Sequence, residues 1–417
     1  MAQLSDDCFA FGGDLLGVDA ALELIRARIA PAGGRETVDI ADADGRFLAQ
    51  TLIAPVDLPG FDNSAVDGYA VRFADLAAAG ETALEIAARI AAGDPRVVRA
   101  REKTVARIFT GAPMPEDADT VFMQEDVRAE GAHVVLPPGL KKGANRRLRG
   151  EDIVKGAVAL EAGRRLTPRD IALAAALGVA RLDVARRLRV AVFSTGDEIA
   201  APGNLLPPGG AYDANRFLLG AMARRLGAQV TDLGILSDSA EATAAALRDA
   251  AGAHDLVLTS GGVSTGEADH VRAAIEAGGR LVFWRLAIKP GRPVAMGVVR
   301  GTPLIGLPGN PVAAFITFAY VVRPLIAALS GADLPAPRAT PVISGFRYSK
   351  KAGRREYVRV HLSRRDDGAM VARKYEMDGA GVITSLTRTD GLVELPEDVK
   401  KVEPGDAVGF IDYALLM

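Results

Sequence analysis

An α/β multidomain chain is expected from three observations. Between about 187 and 330, apolar β-like runs alternate with helix-like segments, the pattern of a parallel sheet with helices on both faces. Two Gly-rich turns, at 259–266 and 306–311, each end one such run and open the next helix. The 417 residues exceed one ordinary core, so roughly three domains are predicted by length alone.

Taken in order, Asp19 is placed to cap a helix whose apolar positions Ala20, Leu24 and Ala27 share one face, and Pro31-Ala32-Gly33-Gly34 stops it. Short β-like runs at 105–109, 120–123 and 133–136, separated by Pro and Gly turns, predict a small β-rich module. Helical material on either side, at 19–30 and 168–178, makes that module an insertion. The expected division is a discontinuous helical N-terminal domain over 1–51 and 144–186, with 52–143 inserted into it. The central domain, 187–330, has strands predicted at 189–193, 229–233, 255–259, 281–286 and 303–307. Helices are predicted between and after them at 213–226, 239–251, 268–277 and 311–329. Beyond a Pro-containing linker at 331–338, alternating runs at 342–348, 357–362 and 370–373 open a C-terminal all-β domain, 331–417.

Composition narrows the function. A hydrophobic content of 49% with 24% charged residues is that of a globular protein. A net charge of −2 gives no broad electrostatic footprint for nucleic acid or an anionic membrane. The single cysteine, Cys8, excludes a disulfide framework within one chain. The first residues lack the basic and apolar regions of a secretory signal, and the apolar run 312–322 is too short to span a bilayer before Arg323-Pro324. It reads as a buried core helix, and the location expected is cytoplasmic.

The motifs point to phosphate chemistry. A strand that delivers the chain to a Gly-rich turn frees backbone N–H groups, and the following helix turns its positive dipole end toward an anion. The loops at 194–198, 260–266 and 308–311 all fall at the carboxyl ends of predicted strands, where open α/β sheets bind ligands. Asp197, Glu198, Asp238, Glu267 and Asp269 lie in the same neighbourhood of sequence, and acids gathered in a crevice call for a divalent cation. Lys289-Pro290-Gly291-Arg292-Pro293 holds two cations between prolines, suited to an oxyanion. Asn310-Pro311, taken alone, is also an ordinary helix start. The segment 61–70 reads as an Asx-rich turn, and the five cations of 141–149 as a solvated loop able to dock an anionic ligand or a partner subunit. No Gly-x-Ser-x-Gly elbow occurs, and His133, His254, His270 and His361 show no metal-ligand spacing.

Six motifs in this order resemble the molybdopterin molybdenumtransferase family, which includes MoeA and the E domain of gephyrin. They are Asp-x-Ser-Ala-x-Asp-Gly-Tyr-Ala at 62–70, Gly-Glu-Asp-Ile at 150–153, Ser-Thr-Gly-Asp-Glu at 194–198, Ser-Gly-Gly-Val-Ser with its following Asp at 260–269, Lys-Pro-Gly-x-Pro at 289–293 and Leu-Pro-Gly-Asn-Pro at 307–311. The resemblance implies that the central doubly wound parallel sheet is a molybdopterin-binding domain. It implies an elongated homodimer whose cleft is completed by both subunits. The implied reaction is Mg2+-dependent insertion of molybdate into adenylylated molybdopterin with release of AMP. By motif, Asp67, Asp152, Glu198, Asp269, Lys289 and Arg292 carry over as catalytic groups, and Glu198, Asp238 and Asp269 as metal ligands. Thr110, Ser194, Thr195, Gly196, Ser260, Gly261, Gly262, Ser264, Pro308, Gly309, Asn310 and Pro311 carry over as substrate-binding residues, with Asp67, Thr110 and Asp152 reaching the cleft from the second subunit. Transient contacts with other cofactor-biosynthesis enzymes and with apo-molybdoenzymes are implied too. The chain departs from the pattern at Val66, where Met is commoner, at Arg285, where some relatives carry Lys, and at Ala380, where many carry Ser. The competing readings are the adenylyltransferase that prepares the substrate, which resembles 187–330 alone, and a pterin-binding scaffold.

Overall fold

The computed structural model describes residues 15–237, 239–263 and 270–417, apart from the Trp284 side chain. These residues form two compact units. One holds the chain up to Gln50, Ala162–Thr167 and Leu182–Met417, and the other holds Thr51–Glu161 with Pro168–Arg181.

The larger unit is built on a six-stranded sheet. Its strands are Arg189–Thr195 (β1), Gln229–Leu236 (β2), Leu256–Ser260 (β3), Gly279–Arg285 (β4), Pro293–Val299 (β5) and Thr302–Leu307 (β6), in the order β2-β1-β3-β6-β5-β4. The first four strands in that order are mutually parallel. β5 runs antiparallel to both β6 and β4, so the expected wholly parallel sheet is corrected to a mixed one. The cause is local. Arg300 and Gly301, both at positive φ, close a two-residue turn between β5 and β6, and such turns match the twist of a hairpin. Arg-Gly is a weak turn signal, which leaves the apolar run Pro293–Val299 unmarked as a strand in its own right.

Alternate residues of β1 point into two cores, as the two-residue period of a strand requires. Val190 and Val192 pack with Leu219 and Met222 of the helix Asn215–Arg225 (α1) and with the apolar helix Pro311–Leu329 (α4). Ala191 and Phe193 pack with Leu247 of Ala240–Ala253 (α2) and Val271 and Ile275 of His270–Gly278 (α3). α4 is long and apolar enough to cross a bilayer by composition, yet 89% of its apolar window is buried inside the protein.

The helix Val18–Arg28 joins the first core through Val18, Ala21 and Ile25. Its cap is Gly17 rather than Asp19, and Ala20 and Ala27 are exposed. The expected apolar face is thus displaced by about a third of a turn, because Val18 and Ile25 are bulkier anchors than alanine. Asp19 instead takes two hydrogen bonds from Arg355, at 3.0 and 2.7 Å.

The C-terminal strands Thr340–Ser344, Arg355–Arg364, Met370–Lys374, Gly391–Leu395 and Ala407–Asp412 pair in a closed circuit, which leaves no free edge. Ile288–Lys289, just after β4, adds to Arg355–Glu356 as a parallel strand. The Lys289 loop is thereby fixed to the C-terminal barrel.

The second unit carries its own six-stranded sheet, Thr120–Met123, Gly68–Val71, Thr104–Ile108, Thr82–Ile90, His133–Leu136 and Arg128–Glu130 in that order. The helix Pro168–Ala176 belongs to the same unit.

Candidate active site

The carboxyl ends of β1, β3 and β6 wall one crevice of about 650 Å³. It brings together Ser194, Thr195, Glu198, Ser260, Gly261, Gly262, Pro308, Gly309, Asn310 and Pro311. Gly196 sits within the first of these loops, and a Cβ there would stand 2.7 Å from the Glu198 carboxylate. The glycines are required by the turn. Gly261 has φ +92°, and a Cβ on it would lie 2.6 Å from the Thr195 carbonyl oxygen; Gly262 has φ +65° and meets Val271 at 2.8 Å.

A polar side chain absent from the sequence expectations binds these loops together. The Asn215 amide nitrogen donates to Ser260 Oγ at 2.8 Å and to the Gly309 carbonyl at 2.8 Å, so the first turn of α1 ties the β3 loop to the β6 loop. Beside it, Ser194 Oγ donates to Asp213 at 3.0 Å, Asp213 accepts from Arg216 Nε at 2.8 Å, and Arg216 also pairs with Asp232. Burial works against the Arg216 cation, but these two acids outweigh it and raise its pKa. Asp213-Ala214-Asn215 at a helix start looks like an ordinary cap in sequence, which hides its structural role. Thr195 Oγ1 and Asn215 Oδ1 are buried in the crevice wall without hydrogen-bond partners among the described residues, polar capacity those residues leave unspent.

Asn310 occupies the cap position of α4 with Pro311 at the first helical position, yet its side chain makes no capping bond. The Val312 N–H donates instead to the Ala380 carbonyl at 3.0 Å. The loop carrying Ala380 therefore contributes a backbone acceptor where the missing hydroxyl was expected to matter.

Lys289 and Arg292 line an adjacent cavity of about 630 Å³, which shares Pro293, Pro308 and Asn310 with the crevice. Its other basic groups are Arg347, Arg354, Arg359 and Lys374, against one lining acid, Asp378. Behind the wall, Glu356 is 1% exposed. It accepts from Lys289 Nζ at 3.1 Å, Tyr348 Oη at 2.8 Å and Arg354 Nε at 2.6 Å. Burial alone would raise the Glu356 pKa, but those three donors hold it below the ordinary value. Lys289 lies above its own, because its bonds to Tyr348 and Glu356 outweigh the burial that opposes its charge. Lys289 is thus positioned by a buried carboxylate, whereas Arg292 is exposed.

The remaining expected residues fall elsewhere. Asp238, Ser264, Glu267 and Asp269 lie outside the described residues, as does Cys8. Asp197 is exposed and does not line the crevice. In the second unit, Asp67 accepts from both the N–H and the hydroxyl of Thr110 at 2.7 Å, which lower its pKa. Nearby, the Arg107 guanidinium lies 4.9 Å from the Tyr69 ring centroid and 5.1 Å from that of Phe109. Asp152 is exposed in the same unit. The basic segment 141–149 proves largely self-neutralised: Arg146 pairs with Asp62, Arg147 with Glu151, Arg149 with Asp57 and Lys142 with Asp119. Among the described residues, no three acidic, histidine or cysteine side chains gather as a metal site.

Fold and cavities define an α/β protein with a Gly-rich crevice at the carboxyl ends of its strands and a basic cavity beside it. Family models match it in three stretches: the MoeA N-terminal region (domain I and II) over 16–178, a probable molybdopterin binding domain over 191–328 and the MoeA C-terminal region (domain IV) over 341–413. It is 38% identical to a molybdopterin molybdenumtransferase of Haemophilus influenzae, across 89% of this chain and 92% of that one. It is 36% identical to molybdopterin molybdenumtransferase 2 of Mycobacterium tuberculosis, across 88% and 93%. A crystal structure of the molybdopterin biosynthesis MoeA protein from Pyrococcus horikoshii matches 96% of this chain and 100% of its own, at 27% identity and a TM-score of 0.81. The chain belongs to the molybdopterin molybdenumtransferase family.

Proposed function

We propose that this protein inserts molybdate into adenylylated molybdopterin with release of AMP, a step of molybdenum cofactor biosynthesis. The observation that carries this reading is the pair of adjoining cavities, one walled by Gly-rich strand ends and the other basic, meeting at Pro293, Pro308 and Asn310. The names of the relatives support it.

In this reading Ser194, Thr195, Gly196, Ser260, Gly261, Gly262 and Ser264, with Pro308 through Pro311, cradle the pterin nucleotide through backbone N–H groups and short polar side chains. Lys289 and Arg292 hold oxyanion charge, Lys289 from the fixed position that Glu356 gives it. Molybdenum needs soft sulfur ligands, and the substrate's dithiolene brings them, so one cysteine suffices. Glu198 offers the hard oxygen donor that Mg2+ prefers, with Asp238 and Asp269 assigned beside it by motif. When bound, Mg2+ supplies charge neutralisation at the phosphoanhydride. A homodimer brings Asp67, Thr110 and Asp152 of a second copy to the cleft, in the cytoplasm. The four-part division into 1–51 with 144–186, 52–143, 187–330 and 331–417 is part of the same proposal.

The test incubates purified protein with adenylylated molybdopterin, Mg2+ and molybdate and follows AMP. Molybdate-dependent AMP release is the expected result; tight pterin binding without turnover would replace the transferase with a scaffold.

A further inference from the structure

The crevice wall includes an aromatic residue that the Gly-rich turns do not account for. After Glu198 the chain runs out through Ile199–Ala200 and returns as Ala211–Tyr212, and the two segments pair as parallel strands. The Ala211 N–H donates to the Glu198 carbonyl and the Asp213 N–H to the Ala200 carbonyl, both at 2.9 Å. Tyr212 is thereby fixed close to Glu198, and both residues line the crevice. The tip of the side chain is tied as well, since Tyr212 Oη donates to the Asn204 carbonyl at 3.0 Å. Even so, 48% of the residue is exposed. A tyrosine pinned at backbone and hydroxyl but left half open contributes little to a core, and its ring is ready-made contact area.

Position decides which part of a nucleotide this ring meets. The Ile199–Tyr212 ribbon extends from β1, whereas the wall shared with the basic cavity, Pro293, Pro308 and Asn310, starts β5 and follows β6. β6 lies two strands from β1 and β5 three, on the order of 10–14 Å at the usual strand spacing. With molybdate taken by the basic cavity and phosphates by the glycine turns, the adenosine end of the substrate is left for the β1 side. Ile199 and Ala214 beside Tyr212, and Ile383 from the C-terminal barrel, make the lining there apolar, as the face of a purine requires. We propose that Tyr212 is the adenine platform of the crevice, a specificity-determining residue on whose ring the base of the adenylylated substrate stacks. The inference rests on the transferase reading, which supplies the nucleotide.

Calorimetric titration of the purified protein with AMP and with ribose 5-phosphate, both with Mg2+ present, tests this. The unaltered protein binds AMP about tenfold more tightly than ribose 5-phosphate. Tyr212→Ala weakens AMP about tenfold and leaves ribose 5-phosphate unchanged, while Tyr212→Phe, which keeps the ring and loses the bond to Asn204, retains most of the preference. Equal affinities for the two ligands in the unaltered protein, undiminished AMP binding in Tyr212→Ala, or a parallel loss of ribose 5-phosphate binding overturns the proposal. So does a Phe variant as weak as the Ala variant, which would make Tyr212 a brace for the 201–210 loop. The two readings fail separately. A ring-dependent preference for AMP in a protein that releases no AMP from adenylylated molybdopterin removes the transferase and keeps the platform; molybdate-dependent AMP release with AMP binding indifferent to Tyr212 does the reverse.

Discussion

Glu356 is a buried carboxylate serving three donors, and its depressed pKa fixes a sign. A carboxylate whose folded value lies below its unfolded value adds stability that is complete above the unfolded pKa and is lost as pH falls through the folded one. The protein should therefore lose stability on acidification from about pH 5 downward, and Glu356→Gln should flatten that loss while costing about 2 kcal/mol at neutral pH. Urea titrations across pH read both effects; an unchanged acid slope in the variant would exclude Glu356 as its source. Asn215→Ala unties the β3 loop from the β6 loop, and should cost about 1–2 kcal/mol in stability and weaken pterin-nucleotide binding several-fold, measured by denaturation and by titration calorimetry. Neither residue was legible in the sequence. A carboxylate just before Tyr357 reads as the solvated start of a strand, and an Asn that opens a helix reads as a cap; only the folded chain shows where each side chain ends.

Among the elements, the β3 turn has little tolerance. Gly261→Ala places a methyl group 2.6 Å from a backbone oxygen at a left-handed φ, so we expect a loss of about 2–3 kcal/mol, visible as a lowered denaturation midpoint. At the other end of the strands, Asp255 holds Arg186 through bonds of 2.7 and 2.8 Å and the Arg189 N–H at 2.8 Å. Burial opposes its charge, yet these bonds hold its pKa well below the usual carboxylate range. Asp255→Asn should cost about 2–3 kcal/mol at pH 7, with the difference from the unaltered protein shrinking only in strong acid. The strands and helices of 187–330 were legible because hydrophobic period and turn chemistry agree there. Pro293–Val299 was not, since Arg300-Gly301 is no conventional hairpin signal, and Gly391–Leu395 and Ala407–Asp412 are short runs whose pairing partners lie far away in sequence.

For the whole molecule, convergence of the three strand-end loops could be anticipated from topology, because a sheet with parallel strands delivers every such loop to one edge. The separate basic cavity could not, since it needs the C-terminal barrel to bring Arg347, Arg354, Arg359 and Lys374 up to Lys289, through the added strand Ile288–Lys289. This predicts unequal kinetic phenotypes, read in steady-state AMP release: Arg347→Ala should raise the KM for molybdate and spare that for the pterin nucleotide. Asn310, by contrast, is a party wall. A lesion at Asn310, Pro308 or Pro293 disturbs two rooms at once, so Asn310→Ala should raise both KM values together, and no kinetic defect at those three positions can be assigned to one substrate alone.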